Sequence, residues 1–287
     1  MAKRKNKPLF VYDVLTPREA DALQQIHERN KRLFDLATRV LKLAHDVFPL
    51  GQRRLQQLHP NVERTLLALY TQAFRLFRSM LILCKSGLDS EALIQLRSLL
   101  ETTAFLLYIA EEDHLERFKR YLHSWHISRY TGLKELIAAF PETKEEFAPT
   151  TVDWHKRKAE EAFRYFREKH GQDKSDKEIR QKYTLRADIA AQELPKLRKL
   201  WKVAYPTLSD VAHGQRVVEY IRPTSEKNVV QLRTNPTSHV IEPCLVNGMR
   251  LLFLAMDKMN ERLKLGKDAA LRNLDEQYNH LFTEEPE

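Results

Sequence analysis

The chain has 287 residues, of which 43% are apolar and 30% are charged. Its 48 Lys and Arg residues exceed its 39 Asp and Glu residues, which gives a formal net charge of +9. It contains only 7 glycines, whereas glycine makes up about 7% of an average protein. Strand-rich folds and phosphate-binding α/β folds need glycine in turns and loops, so the composition argues against both and favours long helices.

The two cysteines, Cys84 and Cys244, exclude a disulfide scaffold and any four-cysteine zinc site. Both lie in apolar runs, which predicts buried free thiols in a reducing cytoplasm. The basic N-terminus lacks the apolar run of a secretory signal. No window of 18 residues is free of charge, so we expect no membrane span.

The positive charge is concentrated in two places. Residues 155–202 contain fifteen Lys or Arg and eight Asp or Glu, and the first seven residues add +4, which leaves −2 for the rest of the chain. A concentrated basic segment attracts phosphates, most often those of nucleic acid. A solvated helix face is the alternative, because both signs of charge recur at i,i+4 spacing.

The first elements are predicted from capping residues and helical spacing. Residues 1–15 form a basic tail, and Thr16 to Glu19 is a capping box with Pro17 at the first helical position. The helix that follows should end near Phe48, before Pro-Leu-Gly. A second helix is expected from about 60 to 84.

The third predicted helix, from Asp89 or Ser90 to Ala110, is the most informative element. Between Ala92 and Ala110 its only charged residues are Arg97 and Glu101, which lie four apart and therefore on one face. A charge in an apolar environment costs several kcal/mol unless it is paired, so this pair requires an explanation.

The rest of the chain is predicted to be helical apart from one short hairpin. A fourth helix spans about 113–140, a polar break covers 141–149, and residues 152–202 form two or three charged helices. Another helix opens at Tyr205-Pro206 and runs to about Val218. Residues 229–232 and 238–241 are predicted to pair as a β-hairpin, and helices at about 242–264 and 267–282 close the chain. The predicted fold is all-α, with one helical domain over 16–287, a core from about 60–140 and 203–265, and a charged insertion at about 150–202.

Standard catalytic motifs do not account for the polar residues. Glu111-x-x-His114 is a single match to a motif that di-iron bundles need twice, so no metal is expected. Ser209, Asp210 and His213 do not make a hydrolase triad, since Asp210 points about 100° away from Ser209 on a helix. We expect no cofactor.

Two blocks carry a resemblance to known proteins. Residues 95–101 (Gln-Leu-Arg-Ser-Leu-Leu-Glu) with 106–108 (Leu-Leu-Tyr), and residues 205–214 (Tyr-Pro-Thr-Leu-Ser-Asp-Val-Ala-His-Gly), resemble an uncharacterised bacterial all-helical family. The second block is similar to the Arg-Asn-x-x-x-His-Gly turn of the HEPN superfamily, whose helical members often act as metal-independent ribonucleases. His213 and Gly214 match that turn and Ser209 fills the Asn position, but Leu208 replaces the arginine.

The resemblance implies a HEPN-like helical bundle that forms a homodimer. If the two motif helices pack side by side, Arg97 binds a phosphate, His213 transfers protons and Glu101 orients one of them. The catalytic residues predicted on this basis are Arg97, Glu101, Ser209 and His213. Tyr108 or Arg216 is predicted to complete the site.

The predicted function is a HEPN-like ribonuclease or toxin-type effector in bacterial anti-phage defence. The basic segment would bind RNA or another nucleic acid, through Lys156, Arg157, Arg164 and Arg167. The alternative is a non-catalytic module that binds nucleic acid or a protein such as an antitoxin, with the Arg, Glu and His residues as a structural network. A third interpretation is that Arg97, Glu101 and His213 form a site for some other ligand.

Overall fold

A computed structural model describes residues 17–54, 60–145, 149–212, 221–223, 230–232 and 237–281. The fold of these residues is all-α, as predicted. The helices are α1 (Pro17–Arg29), α2 (Lys31–Arg54), α3 (Pro60–Lys85), α4 (Asp89–Ala110), α5 (His114–Ala139), α6 (Pro149–His170), α7 (Asp176–Lys182), α8 (Ala187–Gln192), α9 (Pro195–Ala212), α10 (Ile241–Leu263) and α11 (Asp268–His280). A short 3-10 helix, Pro141–Glu145, follows α5.

Helix α4 occupies the centre of the bundle and packs against α3, α5, α8, α9 and α10. It is apolar on nearly all sides, as expected of a helix surrounded by protein, and most of its residues are buried. Helices α3 and α10 also pack closely against each other. A Cβ at Gly248 of α10 would collide with the side chain of Met80 on α3, so glycine permits this approach.

The N-terminal helical region differs from the prediction of one helix ending at Phe48. Asn30 separates α1 from α2, and its side-chain amide donates a hydrogen bond to the Ile26 carbonyl at 2.9 Å. Helix α2 then continues past Pro49 and Gly51 to Arg54. The Phe48 ring packs on Tyr70 and Phe74 of α3, with ring centroids 5.2 and 5.1 Å apart. This tertiary contact outweighs the local tendency of the sequence to end the helix.

Helix α9 also corrects a predicted boundary. The helix does not begin at Tyr205-Pro206 but ten residues earlier, at Pro195, and it contains Pro206 in its interior. An interior proline is unfavourable by about 3 kcal/mol. Burial of Leu197, Trp201 and Leu208 on the inner face of α9 offsets that cost.

The charged segment comprises α6, α7, α8 and the first half of α9. Its first part has a small apolar cluster of its own, in which Phe163 and Phe166 of α6 pack with Ile127 of α5 and Ile179 of α7. Helices α8 and α9 instead contribute to the main core. The segment therefore attaches to the bundle at two places.

The predicted pairing of residues 229–232 with 238–241 is not found among the described residues. Val230–Leu232 pairs antiparallel with Ile221–Pro223 instead, while Ile241 begins α10. Asp89, buried at the start of α4, explains the difference. Its carboxylate accepts hydrogen bonds from the Thr237 hydroxyl and from the Val240 backbone N–H, the latter at 3.0 Å. These bonds hold the chain at the entry to α10 rather than in a strand.

Two helical stretches, Asn61–Lys85 and Asp89–Ala110, are long and apolar enough to cross a membrane. In the fold they pack as neighbours in the bundle. Cys84 and Cys244 are both buried and free, as predicted. The basic tail 1–15 and Thr16 lie outside the described residues.

Candidate functional site

Helix α4 holds Arg97 and Glu101 together on its side toward α9. The Arg97 Nε atom donates a hydrogen bond to Glu101 Oε1 at 3.3 Å. The side chains are 20% and 34% exposed, respectively. The pair predicted from the i,i+4 spacing is therefore formed, and it lies half in solvent rather than sealed in the core.

Tyr205 of α9 joins this pair from across the helix interface. Its hydroxyl accepts a hydrogen bond from Arg97 Nη2 at 3.1 Å and donates one to Glu101 Oε1 at 3.0 Å. Its ring is stacked on Trp201, with centroids 4.2 Å apart, and the Arg97 guanidinium lies over it at 5.2 Å from the centroid. We call Arg97, Glu101 and Tyr205 the polar triangle.

The protonation states of the polar triangle follow from these contacts. The hydrogen bond to Tyr205 raises the pKa of Arg97, with a further contribution from the charge of Glu101. Burial is the main cause that raises the pKa of Tyr205. The guanidinium is thus charged and the phenol is neutral at pH 7, which matches the observed direction of both hydrogen bonds.

Ser209 lies on α9 one turn after Tyr205 and is half-buried. Residues four apart on a helix have Cβ atoms about 5–6 Å apart, so Ser209 extends the polar triangle along α9. Leu208 is buried with 3% exposure. An arginine at this position would have to enter the core, which explains physically why leucine stands there. His213, Gly214 and Arg216 lie outside the described residues.

Tyr108 belongs to a second polar network. It lies seven residues beyond Glu101, about 10.5 Å along α4. Its buried hydroxyl accepts a hydrogen bond from Arg120 Nη1 at 3.1 Å, and Arg117 lies over its ring at 4.5 Å. Arg120 also binds Glu193 at 3.0 Å. The structure therefore separates Tyr108 from the polar triangle.

The four predicted nucleic-acid contacts lie on α6. Lys156, Arg157 and Arg164 are exposed, and Arg167 is half-buried. Arg167 binds the carboxylate of Asp176 and the carbonyl of Lys174. The exposed acidic residues on the same face of the helix are Asp153, Glu160 and Glu168.

Sequence reasoning missed the role of Tyr205 and Trp201. Tyr205 is 104 positions from Glu101, so no local pattern connects them. The signal that was available is the spacing within α9, where Trp201, Tyr205 and Ser209 follow each other at i,i+4.

One groove in the described part of the chain lies away from the polar triangle. This groove of about 450 Å³ lies between α10 and α11, lined by Arg250, Asp257, Arg272, Asp275 and Tyr278 among others. Within the described parts of the chain, no group of three or more His, Cys, Asp or Glu side chains is arranged to hold a metal ion.

Comparison with known proteins gives one match. A family model described as a family of unknown function (DUF5677) matches residues 63–228. This range includes α4 and α9, which carry the polar triangle, and the dipeptide His213-Gly214. No curated protein and no solved structure matches the chain.

Proposed function

The chain belongs to the DUF5677 family, and we propose that it is a HEPN-like, metal-independent ribonuclease. In this proposal it acts in the cytoplasm as a homodimeric, toxin-type effector of bacterial anti-phage defence, held in check by an antitoxin-like protein. The observation that supports it best is the polar triangle. A charged arginine, 20% exposed, is held at the interface of two helices, and His213 follows the last residue of α9, Ala212, in the sequence.

The proposed chemistry is transfer of a phosphate within RNA. Arg97 binds the phosphate, because its planar guanidinium donates parallel hydrogen bonds to phosphate oxygens. The 2′-oxygen forms a bond to phosphorus while the bond from phosphorus to the 5′-oxygen breaks, which leaves a 2′,3′-cyclic phosphate. One proton leaves the 2′-hydroxyl and one is added to the leaving 5′-oxygen; His213 carries out one of these transfers, as base or as acid, and water carries out the other.

The other residues position these groups. Glu101 and Tyr205 fix the orientation of the Arg97 guanidinium from two sides. Ser209 lies on α9, four positions after Tyr205 and four positions before His213 in the sequence, and is proposed to contact the substrate. The basic segment 155–202, which includes the four residues of α6, supplies the wider RNA-binding surface.

The experiment is incubation of the purified protein with total RNA in EDTA. The proposal predicts fragments that are absent with His213→Ala and strongly reduced with Arg97→Ala. Leu99 is buried in α4, so a Leu99→Ala variant gives a reference for activity lost through instability alone. Intact RNA with wild-type protein at every pH from 5 to 8 would contradict the proposal.

A second candidate function has its own supporting observation. Arg97 already binds both Glu101 and Tyr205, so the polar triangle is closed within the chain, as in a structural network. In that case the protein is a non-catalytic module that binds nucleic acid or a protein partner. Salt-sensitive RNA binding without cleavage would favour this alternative.

A further inference from the structure

The exposed face of α9 is more strongly basic than the face of α6. Arg198, Lys199 and Lys202 are all exposed and lie within five consecutive residues. No acidic residue occurs between Pro195 and Ser209. We call Arg198, Lys199 and Lys202 the basic stripe. Like charges this close repel each other, so their density favours binding of a polyanion.

Two residues of the basic stripe, Arg198 and Lys202, are aligned with the polar triangle, whereas Lys199 lies about 100° from Arg198 around the helix. Arg198, Lys202, Tyr205 and Ser209 are spaced i, i+4, i+7 and i+11, which places them within about 60° of one another around a helix. Arg198 and Ser209 are about 16.5 Å apart along the axis. The Arg198 Nε atom donates a hydrogen bond to the Gln192 carbonyl at 2.8 Å, which holds this cation at the start of the line.

Other basic residues of the segment are offset by acidic neighbours. Lys196 shares a cavity with Glu111, Asp257 and Glu261, on a different side of α9. On the face of α6 that carries Lys156, Arg157, Arg164 and Arg167, these four cations are interleaved with three exposed carboxylates, which leaves that face with a net charge of only +1. The basic stripe is therefore the part of the segment most suited to a chain of phosphates.

We propose that the basic stripe binds the backbone of single-stranded RNA and directs it along α9 to the polar triangle. This inference rests on the proposed ribonuclease function. Because Arg97 is recessed between α4 and α9, a flexible single strand reaches it more easily than a stiff duplex. Trp201 is buried, and the half-buried Tyr205 ring is in contact with Trp201 and Arg97, so both rings are poorly placed to stack a base. Binding therefore depends on phosphates and not on base identity.

The test compares three triple variants of the full chain. The first, R198Q/K199Q/K202Q, removes the basic stripe. The second, K156Q/R157Q/R164Q, removes three exposed cations from one face of α6. The third, R64Q/R75Q/R78Q, removes three exposed arginines of α3 and is the charge-matched control. All three change the net charge equally, and each must retain the wild-type melting temperature.

The probe is a fluorescent 2′-O-methyl oligouridine, which binds as a single strand but lacks the hydroxyl needed for cleavage. Its affinity is measured by anisotropy from 50 to 200 mM KCl. Each phosphate contact adds about 0.7 to the salt slope, so loss of the basic stripe should lower the slope by about 2. The ratio of the wild-type affinity to the affinity of this variant should therefore increase about 20-fold when KCl is lowered from 200 to 50 mM. The α6 variant should lose less, and the α3 control should match wild type.

Equal losses for the α9 and α6 variants, or a larger loss for the α3 control, would overturn the inference. Vesicles containing phosphatidylserine form a further arm. If the α9 variant loses vesicle binding but keeps RNA binding, the basic stripe serves a membrane and the inference is wrong. The outcome is separate from that of the proposed ribonuclease. If RNA cleavage depends on His213 but the three triple variants bind the probe equally well, only this inference is refuted. If probe binding depends on the basic stripe but RNA is not cleaved, only the proposed ribonuclease activity is refuted.

Discussion

Replacing Tyr205 by phenylalanine tests how the polar triangle holds Arg97. The change removes one hydroxyl, which accepts from Arg97 at 3.1 Å and donates to Glu101 at 3.0 Å. The ring remains stacked on Trp201, and the direct contact between Arg97 and Glu101 at 3.3 Å also remains. The substitution therefore isolates the bonds that cross from α9 to α4.

The size of the effect follows from the exposure of the partners. A buried hydrogen bond to a charged group contributes about 1.5–3 kcal/mol. Here Arg97 and Glu101 are 20% and 34% exposed, so water replaces part of what is lost. We expect the free energy of unfolding to fall by about 1 kcal/mol and the melting temperature by about 2–3 °C. The proposed ribonuclease activity should fall about tenfold or more, because the guanidinium loses one of the groups that anchor it.

Urea unfolding followed by circular dichroism and initial rates of RNA cleavage measure the two effects. Tyr130→Phe, which changes a half-buried tyrosine outside the polar triangle, is the control. A stability loss above about 3 kcal/mol would mean that the polar triangle is sealed and structural. Wild-type stability and activity together would mean that the hydroxyl does not hold Arg97, which would refute the reasoning.

Three further predictions concern stability and reactivity. Arg262→Ala should lower the free energy of unfolding by about 3–5 kcal/mol in urea, since Glu63 is 1% exposed and binds Arg262 at 3.0 Å. The double variant with Glu63→Gln should lose less stability than Arg262→Ala alone, because it leaves no unpaired buried charge. Burial lowers the pKa of His123 and His126, so the unfolded chain binds more protons than the folded one below about pH 6.5. The free energy of unfolding should therefore decrease as the pH falls from about 6.5, by at most about 1.4 kcal/mol per pH unit for each histidine. Replacing both histidines by glutamine should make the free energy of unfolding less dependent on pH. An unchanged pH dependence in this variant would contradict the role given to the two histidines. Both cysteine thiols are buried and should react with a disulfide reagent only after unfolding, so rapid labelling of the native protein would be inconsistent with the packing of α3 against α10.

The central helices could be predicted from the sequence because their signals are local. Lys85, Gly87 and Asp89 mark the end of α3 and the start of α4, and the structure has both boundaries at these positions. The contact between Arg97 and Glu101 was also predictable, since i,i+4 neighbours on a helix meet whatever surrounds them.

The errors occur where distant contacts decide local structure. Helix α2 passes Pro49 because Phe48 packs on α3, and Ile241 begins a helix because Asp89 binds the preceding residue. In the candidate site, Tyr205 meets Arg97 across 108 positions of sequence. The periodicity of apolar residues within α4 or α9 does not indicate which residue of the other helix lies opposite Arg97.

Cleavage of RNA by His213 without a metal is the activity that we propose. The most direct measurement is the cleavage of one defined single-stranded RNA in EDTA by wild type and by His213→Ala, at equal folded concentration verified by thermal unfolding. We expect fragments ending in 2′,3′-cyclic phosphate with wild type and none with the variant. Equal cleavage by both proteins, or intact RNA with both while binding persists, would contradict it.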